Sequence, residues 1–421
     1  MPEAAGAPDV FDPRVFASGI PHDSFRRLRD GAPVCWQDEP EVLDWPAGPG
    51  YWAVTRYRDV RGVLRDPAGY SSWLGATQIR DPAPEDLDFI RRMILNMDPP
   101  EHSRIRRLAA AVFTRRRLER FTEQITARAD ALLNAVAGQG SCDLPVDVTD
   151  DFPLANLAEL LGVPAEDRGL LLKWTNRVIG YQDPEHAEVV RGADGRPVNP
   201  RSPAMLRDMF DYAHELARHK RSHPADDLMT ALATATLDDG RPLTAEELAM
   251  FFFLVVIAGN DTVRSALPGG VLALLEHPGE YRRLRDDPGL VPSAVEEMLR
   301  WHPPVLSFRR TAARDTELAG QRIRRGDKVV VYHASAHFDE RAFPEPYRFD
   351  ITRSPNDHLA FGQGPHLCLG AHFGRLQMRI FFTRLLDRLP GLELDGPPVR
   401  LTSNFINGVT HLPVRWSPAR G

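Results

Sequence analysis

The chain has 421 residues, 43% hydrophobic and 26% charged, an ordinary globular balance with ample apolar material for a sizeable core. A formal charge of −6 gives no global basic excess, so neither nucleic acid nor an anionic membrane is expected as a partner. Three cysteines (Cys35, Cys142, Cys368) suit neither a disulfide framework nor a zinc site and fit a reducing, cytoplasmic compartment.

Residues 1–9 lack the basic and apolar regions of a signal peptide, and residues 1–20, rich in Pro and Ala, are expected to be loosely ordered. A strand is expected over 50–55 and an amphipathic helix over 59–64. The irregular stretch from 69 to 95 carries Pro82 and Pro84 and is long enough to suggest a functional loop. In Asp98-Pro-Pro-Glu-His102-Ser-Arg-Ile-Arg106 the prolines suit a helix's first turn and Asp98 is placed to cap it. His102 and Arg106 are four apart and share a face, which taken alone fits a solvated helix surface. Successive helices are expected from 118 to 223, interrupted by a Gly/Pro-rich segment over 181–202.

Thr244-Ala-Glu-Glu247 is a capping box opening a helix. Residues 248–259 behind it are apolar all round, which implies burial on every side, yet the run is far shorter than the roughly 20 residues that span a bilayer. Asn260, Asp261 and Thr262 then break the apolar run. Buried polar groups are costly unless used or hydrogen-bonded, so a structural bend and a site are equally open. Pro268-Gly269-Gly270 should kink or loosen the helix beyond them. Ser293-x-x-Glu296 reads as another helix cap. Glu297 and Arg300, three apart behind it, read alone as a surface ion pair. Strands are expected over 303–312 and 328–332, and Ser403-Asn-Phe-Ile-Asn-Gly408 reads as a hairpin tip. Near the C-terminus, Phe361-Gly-Gln-Gly-Pro-His-Leu-Cys368-Leu-Gly370 precedes a helical pattern over 371–389. A Cys before a helix has its thiolate favoured by free N–H groups, although a small buried Cys in a turn is the plainer reading. No repeat or linker interrupts the layout, so a single domain over 1–421 is expected.

The pattern Phe-x-x-Gly-x-x-x-Cys-x-Gly resembles the haem-ligand signature of the cytochromes P-450, and Ala258-Gly-x-Asp-Thr262 resembles a second signature of that family. The resemblance implies a mainly α fold with small β-sheets and haem b between a long central helix and the Cys loop. It makes Cys368 the metal ligand and Phe361, Gly362, Gly370, Ala258 and Gly259 part of the cofactor cradle. Within it His102, Arg106, Arg310 and His366 become propionate partners, and Asp261 with Thr262 the catalytic acid–alcohol pair. Glu297, Arg300 and Arg348 become fold-holding residues, and the 181–202 segment a substrate lid or a plain surface loop. Val263 departs from the pattern, standing where a second Thr is common.

The implied reaction is hydroxylation of an unactivated C–H bond with O2 and two electrons. No flavin or iron–sulfur motif occurs, so the resemblance implies ferredoxin and ferredoxin reductase as donors. Arg106, Arg107, Arg115, Arg116, Arg117, Arg375 and Arg379 form a local basic surplus that fits either such a docking face or solvated helices. Candidate pocket residues are Leu95, Val255, Val305, Leu306, Phe405 and Ile406. Their apolar character, and a similarity to actinobacterial steroid, terpenoid and branched-lipid hydroxylases, favour a bulky terpenoid or steroid. The alternatives are a lipid hydroxylase, a haem-thiolate peroxygenase and a non-catalytic haem sensor. Peroxygenases of the family carry Arg-Pro where Asp261-Thr262 stands, and a sensor has no need of the pair.

Overall fold

The computed structural model describes residues 7–417 except 44, 180–190, 192–194, 196–197 and 199–201. Helix follows helix through its middle: α1 (Glu101–Ala110), α2 (Thr122–Ala137), α3 (Asp151–Leu161), α4 (Arg168–Ile179), α5 (Pro203–Ser222), α6 (Ala245–Glu276), α7 (Val291–Trp301) and α8 (Ala371–Arg388). The fold is mainly α with small sheets, as expected.

α6 is the axis of the molecule, packed by α3, α4, α5, α7 and α8. Its capping box forms as the sequence specifies: Glu247 N–H donates to Thr244 Oγ1 and Thr244 N–H to Glu247 Oε2. The helix has 32 residues and is apolar and long enough to cross a membrane, but 72% of its most apolar stretch is buried inside the protein. That burial makes it a core helix. It also runs unbroken through Pro268-Gly269-Gly270, contrary to the expected kink. The glycines serve packing instead. A Cβ at Gly269 would overlap the His302 ring, and one at Gly270 would come within 2.7 Å of Phe382.

A five-stranded sheet flanks the helices. It comprises β1 (Val34–Gln37), β2 (Tyr51–Val54), β3 (Tyr70–Ser71), β4 (Ser307–Ala312) and β5 (Lys328–Tyr332), in the order β1-β2-β5-β4-β3. Only the β2–β5 pair is parallel. Antiparallel β4 and β5 pair Ser307 with Tyr332 and Thr311 with Lys328, which fixes where Arg309 and Arg310 project. A two-stranded hairpin, β6 (Val399–Arg400) and β7 (Val409–His411), carries residues 403–408 at its tip, as the sequence suggested.

Three sequence expectations are corrected here. Residues 7–20 are not loose: Val10, Phe11 and Phe16 are buried, and Tyr332 Oη donates to Val10 O. Asp98 does not cap α1. Its carboxylate accepts from Ser72 N at 2.8 Å and from the Ser71 hydroxyl, tying α1 to β3. Ser293 donates to Leu290 O and makes no cap, leaving Glu296 free for other work.

Candidate active site

Residues 361–370 form a tight loop ahead of α8. Gly362 and Gly364 both have positive φ (71° and 70°), and a Cβ on Gly364 would meet Leu64 O at 2.5 Å. Side-chain-bearing residues could not adopt this path without strain. Cys368 N–H donates to Phe361 O at 2.8 Å, closing the loop and fixing the Cys backbone. The Cys368 side chain is exposed by area, yet dense surroundings push its thiol pKa up; the Gly370 N–H and the Arg106 and Arg375 charges act the other way.

The platform behind the loop is ionic. Arg375 lies 4.3 Å from the centre of the Phe361 ring and donates to Glu296 from both Nε and Nη2, at 2.7–3.0 Å. His358 Nε2 sits 3.1 Å from the same carboxylate. Burial raises the Glu296 pKa, but the bonds with His358 and Arg375 outweigh it and hold the group at about 2. Sequence spacing gave no signal for this trio, because its members meet only through tertiary packing.

Four groups converge beside the loop. The His102 and His366 rings are 4.2 Å apart, and the Arg106 guanidinium donates to Leu367 O. Arg310 is buried on β4, where its Nη1 donates to Arg309 O at 2.8 Å. Burial lowers all four pKa values. Arg106 then depresses His102 to about 4, and Arg310 helps depress His366 to about 2. Arg310 falls to about 10 despite the Asp98 charge. His102 Nδ1 is buried without a hydrogen-bond partner. Such a concentration of mutually repelling cations and imidazoles around an orphaned nitrogen is suited to receiving carboxylates, so the residues fit the propionate end of a haem.

A cavity of about 830 Å³ lies over the middle of α6. Met250, Phe253, Leu254, Ile257, Ala258, Asp261 and Thr262 line it, at the three- and four-residue steps of one helix face. Val255 stands off that face and packs in the core, so its assignment to the pocket is corrected. Gly259 is corrected too. It faces α3, where a Cβ would meet Leu157 at 2.8 Å, so its missing side chain admits a neighbouring helix and not the cofactor. Leu95, Val305, Phe405 and Ile406 line the cavity as expected. Leu306 is directed into a separate core cluster, since alternate residues of an extended segment face opposite ways. Ile406 bridges to Val305, and the Phe405 ring meets Phe308 edge-on at 5.6 Å. Helical spacing back from Asp261 would have found Ile257 and Leu254; nothing local marks Phe89 or Met93, which also line it. The 181–202 segment falls largely outside the described residues.

Thr262 Oγ1 donates to Ala258 O at 2.8 Å, and Asp261 is 5% exposed with Arg264 Nη1 at 4.0 Å. Asp150 anchors Arg264 through Nε at 2.7 Å and Nη2 at 2.5 Å. Asp261 also borders a second, small cavity of about 50 Å³, lined by Asp150, Thr175, Asn176 and Arg264 among others.

Glu297 and Arg300 are fully buried and joined by two 2.8 Å bonds, so they are no surface pair. Their third partner is Arg353, whose Nε lies 3.1–3.2 Å from both Glu297 oxygens. Arg348 is exposed, pairs with Glu345, and contributes only its carbonyl to Arg300. The expected role of Arg348 is therefore corrected: the chain turns after Pro346, which directs residue 348 to solvent and brings 353 back.

Among the seven expected basic-face residues, Arg107 pairs with Asp238, Arg115 with Glu119, and Arg375 and Arg379 with Glu296. Arg116 and Arg117 are exposed and have no carboxylate partner among the described residues.

Comparison with known proteins agrees with this geometry. The Cytochrome P450 family model matches residues 289–404. A Steroid C26-monooxygenase of Rhodococcus jostii is 36% identical over 417 residues, covering 98% of this chain and 85% of that protein. A Methyl-branched lipid omega-hydroxylase of Mycobacterium bovis is 36% identical over 403 residues, covering 94% of this chain and 90% of that protein. The solved structure of Mycobacterium marinum cytochrome P450 CYP268A2 in complex with pseudoionone superposes with a TM-score of 0.85 at 36% identity, covering 97% of this chain and 98% of that one. With its α6 cavity, Cys368 loop and full-length relatives, the chain belongs to the cytochrome P450 family of haem-thiolate monooxygenases.

Proposed function

We propose that this enzyme holds haem b through the Cys368 thiolate and hydroxylates a bulky apolar molecule, a terpenoid or steroid, in the α6 cavity. The observation that carries the reading is the convergence of His102, Arg106, Arg310 and His366 beside the Cys368 loop. A thiolate-ligated haem, when bound, supplies the oxygen and electron chemistry and favours O–O cleavage. Arg106 and Arg310 would fix the cofactor's carboxylates, with His102 and His366 donating beside them.

Thr262 and Asp261 are the proton-handling residues of this reading. The Thr262 hydroxyl is parked on Ala258 O and can turn into the cavity, presenting its proton there. Asp261 lines both the large cavity and the small one that Asp150 and Arg264 also line, which places its carboxylate to pass protons toward the reacting side. The apolar wall of Leu254, Ile257, Val305 and Phe405 excludes water and positions the substrate. Similarity to a steroid monooxygenase and a methyl-branched lipid hydroxylase supports an apolar, branched substrate. Exposed Arg116 and Arg117 support docking of an acidic ferredoxin in the cytoplasm.

The test is the spectrum of the reduced protein with carbon monoxide. A strongly red-shifted Soret band, lost in Cys368→Ala, is expected; a band typical of His ligation would refute the assignment. Thr262→Ala should then lower product per electron pair and raise peroxide release, and an unchanged yield would remove Thr262 from proton handling.

A further inference from the structure

The cavity is apolar at its inner end and acidic at its outer end. Pro46, Ala47, Asp81 and Glu85 are lining residues that are themselves exposed, so they mark its mouth. Glu85 and Asp86 occupy a short 3-10 turn at this mouth and have no ion-pair partner among the described residues. Burial and the Glu85 charge both raise the Asp86 pKa, as expected of two carboxylates crowded at one rim.

The cations nearby are engaged. Lys328 Nζ lies 2.7 Å from both Glu39 and Asp81, and Arg309 Nη1 lies 2.6 Å from Asp81. Arg80 is the one cation among the described lining residues. It donates to Pro46 O at 2.9 Å and to Val42 O at 3.3 Å, and it lies over the Phe11 and Trp45 rings. A carboxylate arriving at this rim would lose water without gaining a cationic fork, and it would face two like charges.

We propose that Glu85 and Asp86 set substrate class by charge: the enzyme takes molecules whose mouth-facing end is neutral and rejects those ending there in a carboxylate. The inference rests on the reading of this cavity as the substrate chamber above haem, and it goes further by separating neutral terpenoids and steroids from free fatty acids and steroid acids. Gln78, a lining residue whose side-chain amide makes no hydrogen bond to the described residues, offers a neutral donor and acceptor for a hydroxyl or ketone.

The test uses ligands anchored at haem iron whatever the natural substrate: 1-dodecylimidazole and 12-(imidazol-1-yl)dodecanoate. Their affinities are read from the Soret shift of the haem-loaded protein at pH 7.5, in low and in high salt. The carboxylated ligand should bind at least tenfold more weakly at low salt. The Glu85→Gln/Asp86→Asn double variant should narrow that ratio at least threefold by tightening the carboxylated ligand, and high salt should narrow it in the wild type. Equal affinities in the wild type, or a ratio unaltered in the double variant, would overturn the proposal. Failure of the haem-thiolate reading would show separately, as a carbon monoxide spectrum without the red-shifted band.

Discussion

Replacing Arg353 by Ala should destabilise the protein far more than replacing Arg348 by Ala, although both stand in the same arginine-rich meander. The Arg353 side chain is 8% exposed and reaches Glu297 at 3.1–3.2 Å. It also donates to Pro344 O at 2.6 Å, Arg348 O at 2.7 Å and Glu345 O at 3.1 Å. Hydrogen bonds to charged groups contribute about 1.5–3 kcal/mol each, but they are not additive, and exposed carbonyls regain water. Glu297 would moreover keep Arg300, the Asp350 N–H and Asn356. The net loss is therefore about 2–4 kcal/mol, a large share of the roughly 5–15 kcal/mol that holds a domain folded. Arg348 and Glu345 are 57% and 73% exposed at their side chains, where an ion pair contributes about 0–1 kcal/mol. Urea unfolding followed by far-ultraviolet circular dichroism and by the Soret band would measure both. Arg353→Lys should fall between, since it restores charge without the planar fork. An Arg348→Ala loss equal to that of Arg353→Ala would refute this assignment.

Acid should destabilise the fold through its buried histidines. Burial lowers His302 to about 3 and His333 to about 4, so each stays neutral in the folded chain while the unfolded chain protonates near pH 6.5. The unfolded state then binds more protons, and stability present at neutral pH is lost as pH falls from about 6.5 toward 4 for His333 and toward 3 for His302. At pH 5 each contributes a loss of roughly 2 kcal/mol. His302 donates to Asn407 O at 2.8 Å, which Gln can imitate, so His302→Gln should shrink the drop in melting temperature between pH 8 and pH 5. An undiminished drop would exclude His302 as a contributor. On the exposed face, Arg116→Glu with Arg117→Glu should slow reduction by an acidic ferredoxin at low salt, and the difference should vanish at high salt. Equal rates at low salt would place docking elsewhere.

Much of the site was legible because it is written in contiguous residues. The glycines of 361–370 and the Cys they bracket specify a loop by local backbone requirements, and the Thr244 capping box with its apolar run specifies a buried helix. His102 and Arg106 share a helix face by spacing alone. Other features depend on which way a segment faces once packed. Residues 254, 257 and 258 were open to helical counting, but Val255 and Gly259 were misassigned because sequence does not say where the cavity lies around the α6 axis. Leu306 and Val305 differ by one residue in an extended segment and so face opposite sides. Arg353 displaced Arg348 because a meander's turns, not its composition, decide which arginine returns to Glu297. The charges at the cavity mouth likewise acquired meaning only when Lys328 and Arg309, far away in sequence, were found paired with Glu39 and Asp81, leaving Glu85 and Asp86 without an ion-pair partner among the described residues. Sequence by itself determined the chemistry available and the elements that carry it, because those follow from local propensity and spacing. Tertiary structure alone decided orientation and charge balance, because both are set by contacts between residues far apart in the chain.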